Sequence, residues 1–317
     1  MKKIILLLIA LLIICGCDKK VSEEDFNYSS LGIITPTGAP SLAFIDCINN
    51  ENFETNSIPN NIISMMNDSS DKRLVVIDAI SGIKAIKNGS PYKLAAIITF
   101  GNFYIASTGL DDNGVMDKGD KIVLFGQNMT PDIVFHYLYS DEYDSNIDYV
   151  NAVSDAGKCL AAGKNFQTGE SVDYVFIAEP VLSTVLSNEN VPTYKKSSIY
   201  KNIQDEYTKK TGSLLIQAGL FVKDDGYIKD INDFYNHYED NINKILTDNN
   251  YVNSFLTDKS KEEVSSIYGI NPELINEVLK NNSVGLGFKK ALDIKEEIDK
   301  YIKLFGMEET SGEIYYK

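Results

Sequence analysis

The chain has no tryptophan, one arginine and two histidines among its 317 residues. Each scarcity removes a class of function. With Arg73 as the sole arginine, no fork of guanidinium groups can be assembled to grip a carboxylate or phosphate in two-pronged fashion. Basic residues number 30 against 45 acidic ones, for a formal net charge of -15. That balance excludes nucleic acid as a partner, because such affinity comes from Lys and Arg on phosphates. It also opposes electrostatic attachment to an anionic membrane. His136 and His237 cannot build a His/Cys metal cluster, so neither a metal nor another cofactor is expected. No Gly-x-Ser-x-Gly elbow occurs, and neither histidine has an evident Ser or Cys partner. No catalytic residue is therefore assigned. Beyond the amino terminus the only cysteines are Cys47 and Cys159. They are expected to be buried free thiols, with a disulfide as the alternative.

What is present begins with Lys2 and Lys3, an unbroken apolar run over 4–14, and Ile14-Cys15-Gly16-Cys17 before the polar Asp18-Lys19-Lys20. A short basic stretch, a short apolar core and a small residue before the cut describe an export signal. The run is shorter than the ~20 residues a membrane-spanning helix needs. The expected organisation is a signal over 1–16 and a polar tether over 17–30. An unlipidated secretory signal is the alternative. The remaining chain is long enough for two lobes of ordinary domain size.

Along that chain the pattern is strand (31–35), helix (41–48), strand (73–77), short helix (to 87) and strand (94–99). This order argues for a parallel sheet with helices on its faces. A fourth apolar run at 103–107 precedes a Gly- and Asp-rich break at 109–114. A second strand-helix series then runs from 121 to 186. A late strand at 214–222 is followed by helical pattern from 228 onward, with a last helix at 291–304. The economical reading is α/β: two doubly wound lobes around a central cleft. The late strand and helices return to the first lobe, giving 31–108 and 209–317 as one lobe and 109–208 as the other. Chain crossings are expected near 107–120 and 205–213.

TPTGAPSLAF at 35–44, VIDAISG at 76–82, TFGNFYIASTG at 99–109, LFGQNMTPDIV at 124–134 and FIAEP at 176–180 occur in this order. Together they resemble the ABC-transporter substrate-binding proteins of the nitrate, sulfonate, taurine and thiamine-precursor group, and the likeness runs from about residue 31 to 305. Ile14-Cys15-Gly16-Cys17 is similar to the lipobox of bacterial lipoproteins, which implies cleavage before Cys17 and lipid on its sulfur. The resemblance implies the type II periplasmic-binding-protein fold and capture of a solute without chemistry. It also implies a lipid-anchored position on the outer face of the cell membrane, an ABC permease and ATPase as partners, and a monomer. An enzyme on the same fold is the competing reading.

In open α/β sheets a ligand sits beyond the carboxyl ends of the strands, where the turns above fall. Thr37, Gly38, Ala39 and Ser41 are expected to offer backbone N–H groups and a hydroxyl at a helix start, where electron-rich groups are favoured. Gln127, Asn128 and Thr130 supply a matching polar edge on the second lobe. Asp78 is read first as a helix cap and second as a ligand acceptor. Glu179 is weighed as a cleft carboxylate, on the strength of the resemblance. Phe100 is placed on a ligand ring, and the amides of Asn102 and Gln217 as neutral donors and acceptors. The expected solute is a small polar or heterocyclic compound, a vitamin precursor first and a sulfonate- or nitrate-type anion second.

Overall fold

A computed structural model describes residues 30–110, 114–139, 143 and 146–317. The export signal, Cys17 and all of the tether except Ser30 lie outside them. Among the described residues no helix is long and apolar enough to cross a membrane.

The first lobe is built on β1 (Gly32–Pro36), β2 (Phe53–Asn56), β3 (Lys72–Asp78), β4 (Tyr92–Phe100), β10 (Ile216–Lys223) and β11 (Leu286–Lys290). They form one sheet in the order β11-β4-β10-β3-β1-β2. β1 runs parallel to β2 and β3, while β10 lies antiparallel between β3 and β4. The inner strands β3, β4 and β10, with β1, read as near-continuous apolar runs because both faces are covered. Side chains still alternate between the faces. Leu74 and Val76 join the cluster under the long helix Ile231–Thr247, whereas Val75 and Ile77 join the cluster on the other face.

The second lobe carries β5 (Phe103–Ser107), β6 (Ile122–Phe125), β7 (Ile147–Val150), β8 (Tyr174–Ala178) and β9 (Ser198–Asn202), in the order β7-β6-β8-β5-β9. β6 is parallel to β7 and β8, and β5 is antiparallel to β8 and β9. One apolar cluster runs without interruption from Ile34 and Ile77 in the first lobe, through Phe100 and Phe103, to Phe135 and Phe176 in the second.

Four expectations need correction. β5 pairs with β8 and β9, so it belongs to the second lobe and the first crossing is at Gly101–Asn102 rather than within 107–120. The boundary drawn at 108/109 is therefore late. The helical pattern from 228 onward is interrupted by β11, which adds an antiparallel edge next to β4, and the last helix is Lys295–Lys303. The helix expected over 41–48 is a four-residue turn, Ala39–Leu42, followed by a separate 3-10 turn, Ile45–Cys47. Cys47 is free but half-buried, unlike the wholly buried Cys159. The return crossing lies between the helix Ile203–Thr211 and β10. The two crossings are tied together: Gly101 N–H donates to the Leu215 carbonyl at 2.9 Å and Asn102 N–H to Gln217 Oε1 at 3.1 Å, while Leu215 N–H donates to Gln204 Oε1 of the preceding helix at 3.0 Å.

Candidate functional site

Three strand ends converge where the lobes meet. β1 ends in Pro36 before the short helix α1 (Ala39–Leu42). β3 ends in Asp78, which starts α3 (Ala79–Lys87), the helix after α2 (Pro59–Ser64). β6 ends at Phe125, and the turn after it leads into α4 (Thr130–Tyr139). Between them is a cavity of about 550 Å³, within the range of small-molecule sites. Its polar wall is Asp78, Ser81, Lys84, Thr99, Asn102, Asn128, Thr130 and Gln217. Its apolar wall includes Ile77, Ile80, Phe103, Met129, Ile133 and Phe305.

Asp78 holds the centre. It caps α3, accepting from Ser81 N–H at 2.9 Å and Ser81 Oγ at 3.0 Å on Oδ1. Its Oδ2 accepts from Thr130 Oγ1 at 3.0 Å. That last bond crosses the cleft, because Thr130 is the first residue of α4 in the second lobe. The buried Tyr301, on the final helix Lys295–Lys303, has a hydroxyl without a well-formed hydrogen bond. Burial, the charge of Asp78 and that of Tyr207 raise its pKa, while nearby Thr130 opposes them. Asn102 is fixed at the hinge through its N–H on Gln217 Oε1 and its Nδ2 on the Glu179 carbonyl at 3.4 Å. The side-chain Oδ1 of Asn102 and the Gln217 amide N–H groups keep capacity for a guest.

A carboxylate lies at each of three helix starts around the cleft. Besides Asp78 on α3, Asp132 Oδ2 accepts from Asn128 N–H at 2.7 Å in front of α4, and its other oxygen takes the Tyr149 hydroxyl at 2.8 Å. Glu179 accepts from Ser183 N–H at 3.0 Å and Ser183 Oγ at 2.7 Å on α6 (Val181–Leu186), the helix after α5 (Val153–Ala162). Helix starts favour anions, and at these three the chain supplies its own.

The structure brings together five of the twelve residues assigned to the site from sequence: Asp78, Asn102, Asn128, Thr130 and Gln217. The other seven are off this cavity wall. Ser41 is buried and donates to its own turn at Gly38 O, 2.7 Å away. Ala39 is buried. Thr37 gives its N–H to Asn56 O and packs its methyl toward Gly269, and Gly38 faces Pro180. Gln127 points to solvent. Phe100 packs its ring on Gly287. Glu179 turns back onto its own helix. Ser81 and Lys84 went unassigned, although a helical repeat from Asp78 places both near the cleft. Met129, Phe103 and Phe305 carried no signal that separates them from core residues. Arg73 is away from the cavity, paired with Asp225 and stacked 3.8 Å over the Tyr227 ring. Among the described residues no group of three or more His, Cys, Asp or Glu is placed to hold a metal ion.

Burial raises the pKa of Asp78 and of Glu179 despite their hydrogen bonds, and also that of Asp46 in the first lobe. Such a carboxyl binds its proton more tightly folded than unfolded. Stability therefore grows as pH falls below the raised folded values, and the gain is complete once pH drops below the ordinary 3.8 for Asp and 4.5 for Glu. The melting temperature should rise as pH is lowered from neutral toward that ordinary range, and Glu179→Gln with Asp46→Asn should flatten the rise. A melting temperature that falls over that interval would show that hydrogen bonds outweigh burial at these groups.

No protein-family model matches the chain, and no curated protein matches its sequence. Solved structures do match its shape. An ABC transporter protein from Parabacteroides distasonis superposes with a TM-score of 0.71 at 16% identity, over 91% of this chain and 99% of that one. The periplasmic aliphatic sulphonate binding protein of Escherichia coli gives a TM-score of 0.62 at 11% identity, over 87% of each chain. The alkanesulfonate-binding protein of Xanthomonas axonopodis pv. citri, bound to MOPS, gives 0.54 at 13% identity, over 91% of this chain and 95% of that one. The chain thus has the two-lobed α/β fold of ABC-transporter substrate-binding proteins.

Proposed function

We propose that this protein is an extracytoplasmic solute-binding protein that delivers its cargo to an ABC permease and ATPase. It acts as a monomer without turning the cargo over. The observation that carries the reading is the cavity between the lobes, with polar groups from both and the Thr130–Asp78 bond across it. Neutral amides, apolar walls and carboxylates at the helix starts suit a polar or heterocyclic molecule of the vitamin-precursor kind. A sulfonate- or nitrate-like anion is the second reading. It is favoured by the solutes named for the Escherichia coli and Xanthomonas neighbours and opposed by those carboxylates. The lipobox-like Ile14-Cys15-Gly16-Cys17 supports a lipid anchor at Cys17 on the outer face of the cell membrane.

One preparation tests both halves. Protein purified natively from membranes should release an unmodified small molecule into the mass spectrometer, and Cys17→Ala should move it to the soluble fraction. Calorimetry with the released compound should show Gln217→Ala or Asn128→Ala weakening binding by about 0.5–1.5 kcal/mol per lost hydrogen bond. Absence of any cargo, or cargo indifferent to both changes, refutes the cleft. Unaltered membrane attachment of Cys17→Ala refutes the anchor.

A further inference from the structure

The charge in the cavity is arranged as two poles. Among its lining residues Asp78 is the one acid and Lys84 the one base. Both belong to the same helix, with Ser81 between them at three-residue steps, and all three line the cavity. Six residues of α-helix rise roughly 9 Å. Asp78 is at the inner end, where the lobes touch. Lys84 is exposed and also borders a shallow depression with Lys87 and Glu308, so it stands at the rim. Besides Ser81, the cavity wall offers apolar surface from Ile80 on the same helix, Met129 and Ile133 around α4, and Phe305.

A carboxylate has about four acceptor positions. Ser81 N–H, Ser81 Oγ and Thr130 Oγ1 engage three on Asp78, and one is left for a donor in the cavity. The inner end therefore asks for an N–H donor or a cation and repels an anion. At the outer end, the exposed Lys84 ammonium attracts an anion, against competition from Glu308 on the same rim and from Asp78 itself.

We infer that the solute is amphoteric: a cationic or N–H-bearing head reaches Asp78, an apolar body lies along α3, and an anionic group meets Lys84 at the rim. The inference rests on the cleft reading above and names the class of molecule that the cleft takes. It also reconciles helix starts that refuse an anion with a mouth that accepts one.

The test uses 4-(aminomethyl)benzoate as the two-pole probe, with benzylamine and benzoate as its halves, by calorimetry in a sulfonate-free buffer at low salt. The two-pole probe should bind more tightly than either half. Lys84→Met should cost the two-pole probe up to about fivefold, the scale of an exposed ion pair, and leave benzylamine unchanged. Salt near 1 M should erase the same advantage in the wild type. Asp78→Asn keeps a good helix cap and should weaken benzylamine. Gln217→Ala, whose residue touches neither pole, should weaken all probes held in the cleft. If Gln217→Ala weakens binding but Lys84→Met and salt leave the preference intact, the two-pole inference fails and the cleft reading stands. If benzoate matches the two-pole probe, the inference also fails. If no probe binds, or binding ignores Gln217→Ala, both fail.

Discussion

Gly285→Ala should leave little folded protein at physiological temperature. Gly285 has φ of 67°, and a Cβ there would be 1.6 Å from the carbonyl oxygen of Phe100. The same two residues are joined by a hydrogen bond from Phe100 N–H to Gly285 O at 2.7 Å. The clash is with backbone, so no side chain can rotate away. Relief requires parting β11 from the end of β4, beside the first crossing between the lobes. A loss of more than about 4 kcal/mol is expected, at the severe end for one substitution and a large share of the 5–15 kcal/mol that holds a typical domain. Gly226 is the control. Its φ of 70° is similar and nothing lies within 4 Å of its added Cβ, so Gly226→Ala should cost only the backbone penalty, about 1 kcal/mol. Denaturant titration of the two variants separates clash from conformation. A Gly285→Ala variant as stable as Gly226→Ala would mean that the contact with Phe100 opens in solution.

Thr130→Val should have the largest effect on function. Valine keeps the shape but removes the hydroxyl that crosses from α4 to Asp78 Oδ2. The lost bond is to a carboxylate in a secluded place, a loss of about 1.5–3 kcal/mol. The open form should gain by that amount, and cargo binding should weaken by roughly ten- to a hundredfold through faster release. Small-angle scattering should show a larger radius of gyration for the variant. Thr130→Ser retains the hydroxyl and should restore both readouts. A valine variant that stays compact and binds normally would show that the apolar contact through Phe100 and Phe103 suffices to hold the lobes.

The two-lobed architecture was legible because buried strands read as apolar runs and each ended in turn residues. The first crossing was misplaced for a physical reason. β4 and β5 are both apolar and are separated by Gly101-Asn102 alone, whereas the Gly- and Asp-rich stretch after Ser107 carries the stronger composition signal. β11 is hidden in the sequence because Leu286–Lys290 has two lysines, one glycine within it and another just before it, and it is a strand by pairing with β4 rather than by its own pattern. Residue type pointed to Asp78, Asn102, Asn128, Thr130 and Gln217, which line the cavity. Direction was not legible. The turn starting at Ala39 is too short to aim Ser41 outward, and a serine four residues after Glu179 draws that carboxylate back. Lys84 could have been found by stepping along the helix from Asp78.

The paired crossings at Gly101–Asn102 and 212–215 set how cargo can come and go. Two adjacent strands of backbone, joined by the Gly101–Leu215 and Asn102–Gln217 hydrogen bonds, resist sliding past each other more than bending across their common line. Bending along that line would open the lobes like a book on its spine. On the function proposed above, a guest held between the pages would leave when the book opens, so exchange, opening and hand-over to a docked transporter would share a single rotation. Any partner that clamps the outer edges of both lobes controls all three at once.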